Sequence, residues 1–171
     1  MAKKYSQKAS EKERLYIEAG YAGAVERNPD KRRSLLLELT QKYPQEKQFH
    51  SELGLVYEGR NKYPEALAEY EKALTLDPDF GPALNQAGYA YAQIGSFEKA
   101  IQFLERYASI NPGQANPIDS IAEIYFRMGK FAEAKTKYVE ALEIRPDFSS
   151  SCLGLAYVFA IEENYPETRR W

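Results

Sequence analysis

The chain has 171 residues, 44% of them hydrophobic, and its 23 Lys and Arg nearly cancel its 25 Asp and Glu. That balance excludes a strong field for drawing in nucleic acid or an anionic membrane. A single cysteine excludes an internal disulfide and a multi-cysteine zinc site, as expected in a reducing compartment.

Residues 1 to about 12 carry no clear apolar period and read as a frayed lead-in, with no apolar stretch behind the early lysines to make a signal peptide. The longest apolar run, Leu155 to Ile161, is seven residues, far short of the roughly 20 that span a bilayer. The expectation is a cytoplasmic protein.

From Glu13 a helical pattern begins, with Tyr16, Ile17, Ala19, Gly20 and Ala24 at helical spacing. It stops at Asn28-Pro29-Asp30, where Asp30 is the expected N-cap of a helix over Lys31 to Tyr43. Leu35, Leu36 and Leu39 face inward there, and Pro44 ends it.

Residues 47–78 hold two more amphipathic helices, split by the polar turn Arg60-Asn61-Lys62 and closed by Pro78. Leu53, Gly54 and Tyr57 mark one face of the first, and Ala66, Tyr70, Ala73 and Leu74 one face of the second. Pro64 sits just inside the second helix, where its missing N–H costs nothing.

Sliding this hairpin forward by 34 residues lands on Ala87-Gly88, Tyr91, Ala100, Leu104 and Pro112. A further 34 gives Ile121-Ala122, Tyr125, Ala134, Tyr138, Ala141 and Pro146. These copies turn at Gly95-Ser96 and Gly129-Lys130, where glycine supplies a left-handed cap. Tyr63, Phe97, Phe131 and Tyr165 follow the turns at one interval, each placed to plug the open end of its hairpin.

A fifth copy starts near Ser149, but after Asn164-Tyr165-Pro166-Glu167 only Thr168 to Trp171 remain, so its second helix reads as cut short and the chain as part of a longer protein. The first hairpin joins the series because Gly20 to Pro44 matches the spacings Gly54 to Pro78 and Gly88 to Pro112. Two of its residues break the period: Gly23 and Arg32 stand where later copies have Tyr and Ala. A fixed period of this length marks a stacked solenoid.

The pattern of a large residue, Leu-Gly, Tyr, Ala, an aromatic, Ala and Pro is met by His50, Leu53-Gly54, Tyr57, Ala66, Tyr70, Ala73 and Pro78. It resembles the tetratricopeptide repeat. The resemblance implies an all-α, right-handed superhelical solenoid of antiparallel helix pairs. Its four full repeats are expected at about residues 13–46, 47–80, 81–114 and 115–148, with a partial fifth at 149–171, all in one domain over 13–171. Gly54, Ala66 and Ala73 are expected where paired helices approach closely, with Tyr57 and Tyr70 filling the space between neighbours.

His50 and Cys152 lie 102 residues apart, three periods, so both fall on the large inward position held by Leu84 and Ile118 in copies three and four. They read as packing residues. On an extended stack they stand too far apart for a Cys–His catalytic pair. Glycines occur singly, so no phosphate loop is present, and the ligand types for a metal cluster are missing. No catalytic residue, metal or cofactor is expected.

By resemblance, the concave surface is lined by four positions of each first helix. They are Arg14, Ile17, Tyr21 and Ala24, then Gln48, Ser51, Leu55 and Glu58, then Pro82, Asn85, Tyr89 and Ala92. Copy four supplies Asn116, Asp119, Glu123 and Phe126, and copy five Ser150, Leu153, Tyr157 and Ala160. Some family members clamp the acidic tails of chaperones here with Lys, Asn and Arg. Asp119, Glu123 and Glu58 occupy those places, so a carboxylate clamp is contradicted.

The partner-binding residues expected are Tyr21, Gln48, Glu58, Asn85, Tyr89, Asn116, Asp119, Glu123, Phe126 and Tyr157. The function expected is a non-catalytic scaffold or adaptor that holds a neutral-to-basic peptide or partner helix, with no nucleic acid or membrane as partner. The alternative is a regulatory or dimerising segment of a larger signalling enzyme of bacterial kinase or cyclase type. Self-association through an unpaired apolar face of copy five, Leu155, Val158, Phe159 and Ile161, is a further expectation.

Overall fold

The structure is a computed structural model that describes residues 10–171, so most of the expected lead-in lies outside the described residues. Ten helices and no strand occur among them. They run α1 Glu11–Ala24, α2 Pro29–Lys42, α3 Lys47–Glu58, α4 Tyr63–Leu76, α5 Gly81–Gln93, α6 Phe97–Ile110, α7 Ala115–Arg127, α8 Phe131–Ile144, α9 Ser149–Ile161 and α10 Tyr165–Arg170. Contacts divide the chain into two compact units, one through Gln86 and one from Ala87 to Trp171.

Helix starts follow local chemistry. Ser10 caps α1 in a capping box: its hydroxyl accepts the Glu13 N–H, and the Glu13 carboxylate accepts the Ser10 N–H at 2.8 Å. At α2 the cap is Asn28, whose side chain accepts the Lys31 N–H at 3.0 Å. Asp30 is therefore inside the first turn and is not the cap. Pro29 can occupy the first helical position because no N–H is needed there, which moves the cap two residues upstream.

The turn after each first helix uses one left-handed residue at equivalent places: Arg27, Asn61, Gly95, Gly129 and Glu163, with φ from 51° to 78°. Three of the five are not glycine, so the backbone geometry repeats where its preferred residue does not.

In the first unit a core forms from Ala19, Leu36, Leu39, Phe49, Leu53 and Val56. The Gly54 position is occluded: a Cβ there would lie 2.4 Å from the Tyr70 ring, and Tyr70 is fully buried. That close approach is what the glycine permits. Gly20, its counterpart one repeat earlier, has nothing within 4 Å, so the sequence match there carries no packing constraint.

The second unit is built around Ala122, Ala134, Tyr138, Leu142, Leu155, Val158 and Phe159, with Cys152 packed at its edge. Tyr138 of α8 lies where a Cβ on Gly154 of α9 would meet its ring at 2.3 Å. The apolar face expected to be open for self-association is thereby closed: Leu155 and Val158 are 0% exposed and Phe159 8%. Only Ile161 of that set is exposed. The stripe that α9 does present is Leu153, Tyr157 and Ile161, on the opposite side of the helix.

His50 is buried as the inward-position reading requires, but it is a polar linchpin and not an apolar filler. Its Nδ1 lies 2.7 Å from Glu69 Oε2 and its Nε2 3.1 Å from the Pro44 carbonyl. Lys72 holds the other oxygen of Glu69 at 2.7 Å.

Candidate functional site

The expected partner-binding residues fall in both units. In the first, Tyr21 is 37% exposed and Gln48 is exposed, while Glu58 and Asn85 are half-buried. Glu58 is engaged: it accepts the Tyr70 hydroxyl at 2.6 Å. Burial first, and this carboxylate second, push the Tyr70 phenol well above its ordinary value.

In the second unit Tyr89, Glu123 and Asp119 come together. Residues 119 and 123 are four apart on α7 and so share a face. Tyr89 Oη donates to Glu123 Oε2 at 3.0 Å and lies 3.1 Å from Ser120 Oγ. Burial pushes the Tyr89 phenol up, and the Glu123 and Asp119 charges push it further the same way.

Asp119 is only 5% exposed. Its two oxygens accept the hydroxyls of Ser150 at 2.8 Å and Ser151 at 2.6 Å, which ties α7 to the start of α9. Among the described residues, neither Asp119 nor Glu123 has a lysine or arginine at ion-pair distance. Asn116 is exposed at the start of the same helix, with its amide 3.4 Å from the Tyr107 hydroxyl.

The aromatic side of this surface is continuous. Phe126 packs edge-on against Phe131 at 5.5 Å between centroids and lies 6.5 Å from Tyr157. Phe126 is half-buried and braces Tyr157, which is 54% exposed. The second unit thus presents an acceptor-rich patch of Glu123 and Tyr89 beside an exposed aromatic, with Asp119 buried next to it. Such a surface can take hydrogen-bond donors and cations.

Two groupings escaped the sequence. His50 and Glu69 are 19 residues apart and nothing in either residue announces the other. The second is a cluster of arginines at one end of the first hairpin, for which the break in the period at Gly23 and Arg32 was the available sign.

Antiparallel helical hairpins repeating every 34 residues, with small residues at their contacts, define a helical-repeat protein, a fold that supports protein–protein interaction. The tetratricopeptide-repeat profiles match residues 19–80, 51–115 and 119–148, and the chain belongs to the tetratricopeptide-repeat family. Over 161 residues it is 26% identical to Protein O-mannosyl-transferase TMTC3 of Mus musculus, covering 85% of this chain and 18% of that protein. It is 26% identical over 102 residues to Superkiller complex protein 3 of Homo sapiens, 60% of this chain and 6% of that one. With the Photosystem I assembly protein Ycf3 of Rippkaea orientalis it shares 28% identity, covering 69% of each chain.

Among solved structures, the tetratricopeptide-repeat protein TTC0263 of Thermus thermophilus superposes with a TM-score of 0.78 at 20% identity, covering 93% of this chain and 87% of that one. MamA from Desulfovibrio magneticus RS-1 gives 0.78 at 14% identity, covering 95% and 91%. These likenesses show the fold. The chain thus spans under a fifth of the mannosyltransferase and a small part of the Superkiller protein. No helix among the described residues is long and apolar enough to cross a membrane.

Proposed function

We propose that the chain is a non-catalytic scaffold whose second unit holds a neutral-to-basic peptide or partner helix against Tyr89, Asn116, Glu123, Phe126 and Tyr157. The observation that carries this reading is the Glu123 carboxylate. It sits beside the buried Asp119, is held by the Tyr89 hydroxyl at 3.0 Å, and has no cation of its own among the described residues. A half-buried carboxylate without a counter-ion gains most from a cation that a partner supplies.

Tyr157, exposed and braced by Phe126, offers the rigid aromatic area that anchors interfaces. In the first unit Tyr21 and Gln48 are exposed on the corresponding faces, as are Arg14, Ile17, Ala24 and Pro82. The similarity to a Photosystem I assembly protein and a Superkiller complex protein, both named for assemblies, accords with a scaffolding role.

The test is peptide-library selection against the intact chain and against a Tyr89→Ala, Glu123→Lys double variant. The intact chain is expected to enrich peptides with Lys or Arg near an apolar residue, and the variant to lose them. Enrichment of the same peptides by both proteins rejects the assignment.

A further inference from the structure

The repeat breaks its own rule at one place, and a cleft of about 370 Å³ lies there. Later copies carry Tyr57, Tyr91 and Tyr125 at the position of Gly23, and Ala66, Ala100 and Ala134 at that of Arg32. Losing the tyrosine opens space beside α1. The stem of Arg32 lies in it: a Cβ on Gly23 would come within 2.8 Å of Arg32 Cδ. The cleft is lined by Gly23, Arg27, Arg32, Leu55, Gly59 and Arg60, all within the first unit, and so gathers three arginines beside an apolar floor.

The charges around the cleft are unequal. Arg32 pairs with Glu52, and Arg60 donates to Asp30 at 2.8 Å. Asp30 is shared, since Arg33 lies 3.7 Å from it. Lys31 is answered separately by Glu18 and Glu26. Of the three arginines that line the cleft, Arg32 and Arg60 are each paired with a carboxylate, and Arg27 has no ion pair among the described residues.

Arg32 and Arg60 each commit one terminal nitrogen to a carboxylate and retain further donors on the same fork. Arg27 stands at the left-handed position, φ 51°, where two other copies have glycine.

We infer that this cleft binds an oxyanion, a phosphoryl or carboxylate group, held by the guanidiniums of Arg27, Arg32 and Arg60. Arginine forks match the planar edge of either group. The site is separate from the acidic surface of the second unit and takes ligands of opposite charge.

The test is a nitrogen-15 NMR titration of the full chain with sodium phosphate and, in a second arm, sodium acetate, against sodium chloride at equal ionic strength. Saturable amide shifts centred on Gly23, Arg27, Gly59 and Arg60 are expected with phosphate. Saturation by phosphate alone assigns a phosphoryl site, and saturation by both assigns a general oxyanion site. A double variant, Gly23→Tyr with Arg32→Ala, installs the residues of copies two to four and should abolish the shifts. Arg27→Asn keeps the residue type of copy two and should weaken binding about tenfold or more through its lost charged hydrogen bonds. Shifts indistinguishable from those with chloride, or saturable shifts that survive in the double variant, overturn the assignment.

Discussion

His50 Nδ1 and Glu69 Oε2 stand 2.7 Å apart inside the second hairpin, and the opposite ring nitrogen faces the Pro44 carbonyl at 3.1 Å. One imidazole thus joins α3, α4 and the loop that precedes α3. Because Glu69 is also held by Lys72, the pair is a network and not an isolated contact. Glu69→Ala strands the ring nitrogen and is expected to cost about 1–3 kcal/mol in urea unfolding. His50→Leu, the residue at the matching position of copy three, combined with Glu69→Ala should cost less than the two single changes added together. Additive losses would show that the two side chains act independently.

The glycines separate into those that permit contact and one that does not. Gly54→Ala drives a methyl into the buried Tyr70 ring, and Gly154→Ala into Tyr138. Each is expected to cost about 1–3 kcal/mol by overpacking, as is Ala66→Leu at a fully buried position. Gly20 lies within α1 with open space around it, so Gly20→Ala should stabilise by about 0.5–1 kcal/mol. Thermal unfolding of the four variants tests the set, and a loss of stability in Gly20→Ala would contradict the packing of the first hairpin.

The turns give a similar contrast. Gly95 has φ 78°, so Gly95→Ala should lose about 1 kcal/mol. Arg27 has φ 51° with a bulky side chain, and Arg27→Gly should gain up to about 1 kcal/mol. Equal stability of the two arginine and glycine forms would mean that contacts of the Arg27 side chain offset its backbone cost.

Asp119 joins α7 to α9 through Ser150 and Ser151. Asp119→Ala leaves the fully buried Ser151 hydroxyl without its partner and is expected to destabilise the second unit by about 1–3 kcal/mol. Hydrogen exchange should show faster opening of α9 than of α3. Unchanged protection of α9 would remove this carboxylate from the packing of the unit.

Alkaline pH tests three tyrosines together. Burial raises the phenols of Tyr70, Tyr89 and Tyr138 above the ordinary value, helped by Glu58 for the first and by Asp119 and Glu123 for the others. Between the unfolded and folded values the native state holds the proton more tightly, so the stability these groups contribute is complete below about pH 10 and is lost as pH rises above it. Chemical denaturation across that range should show a falling unfolding free energy, with a shallower fall in Tyr89→Phe. A flat profile would contradict the burial of these hydroxyls.

The period, the helix boundaries to within a few residues and the left-handed glycines were legible in the linear chain, because each depends on neighbours three, four or 34 places away; the period marked both Gly54 and Gly20, and only the packing of Tyr70 made Gly54 a contact glycine. Burial of Leu155, Val158 and Phe159 was not, since an apolar face looks the same in a sequence whether or not α8 covers it. Nor was the burial of Asp119, whose serine partners lie 31 and 32 residues on. The same limit hid His50 with Glu69 and the gathering of Arg27, Arg32 and Arg60. Spacing along a chain sets which helix face a residue occupies; only the meeting of helices decides whether that face finds water, an apolar neighbour or a charge.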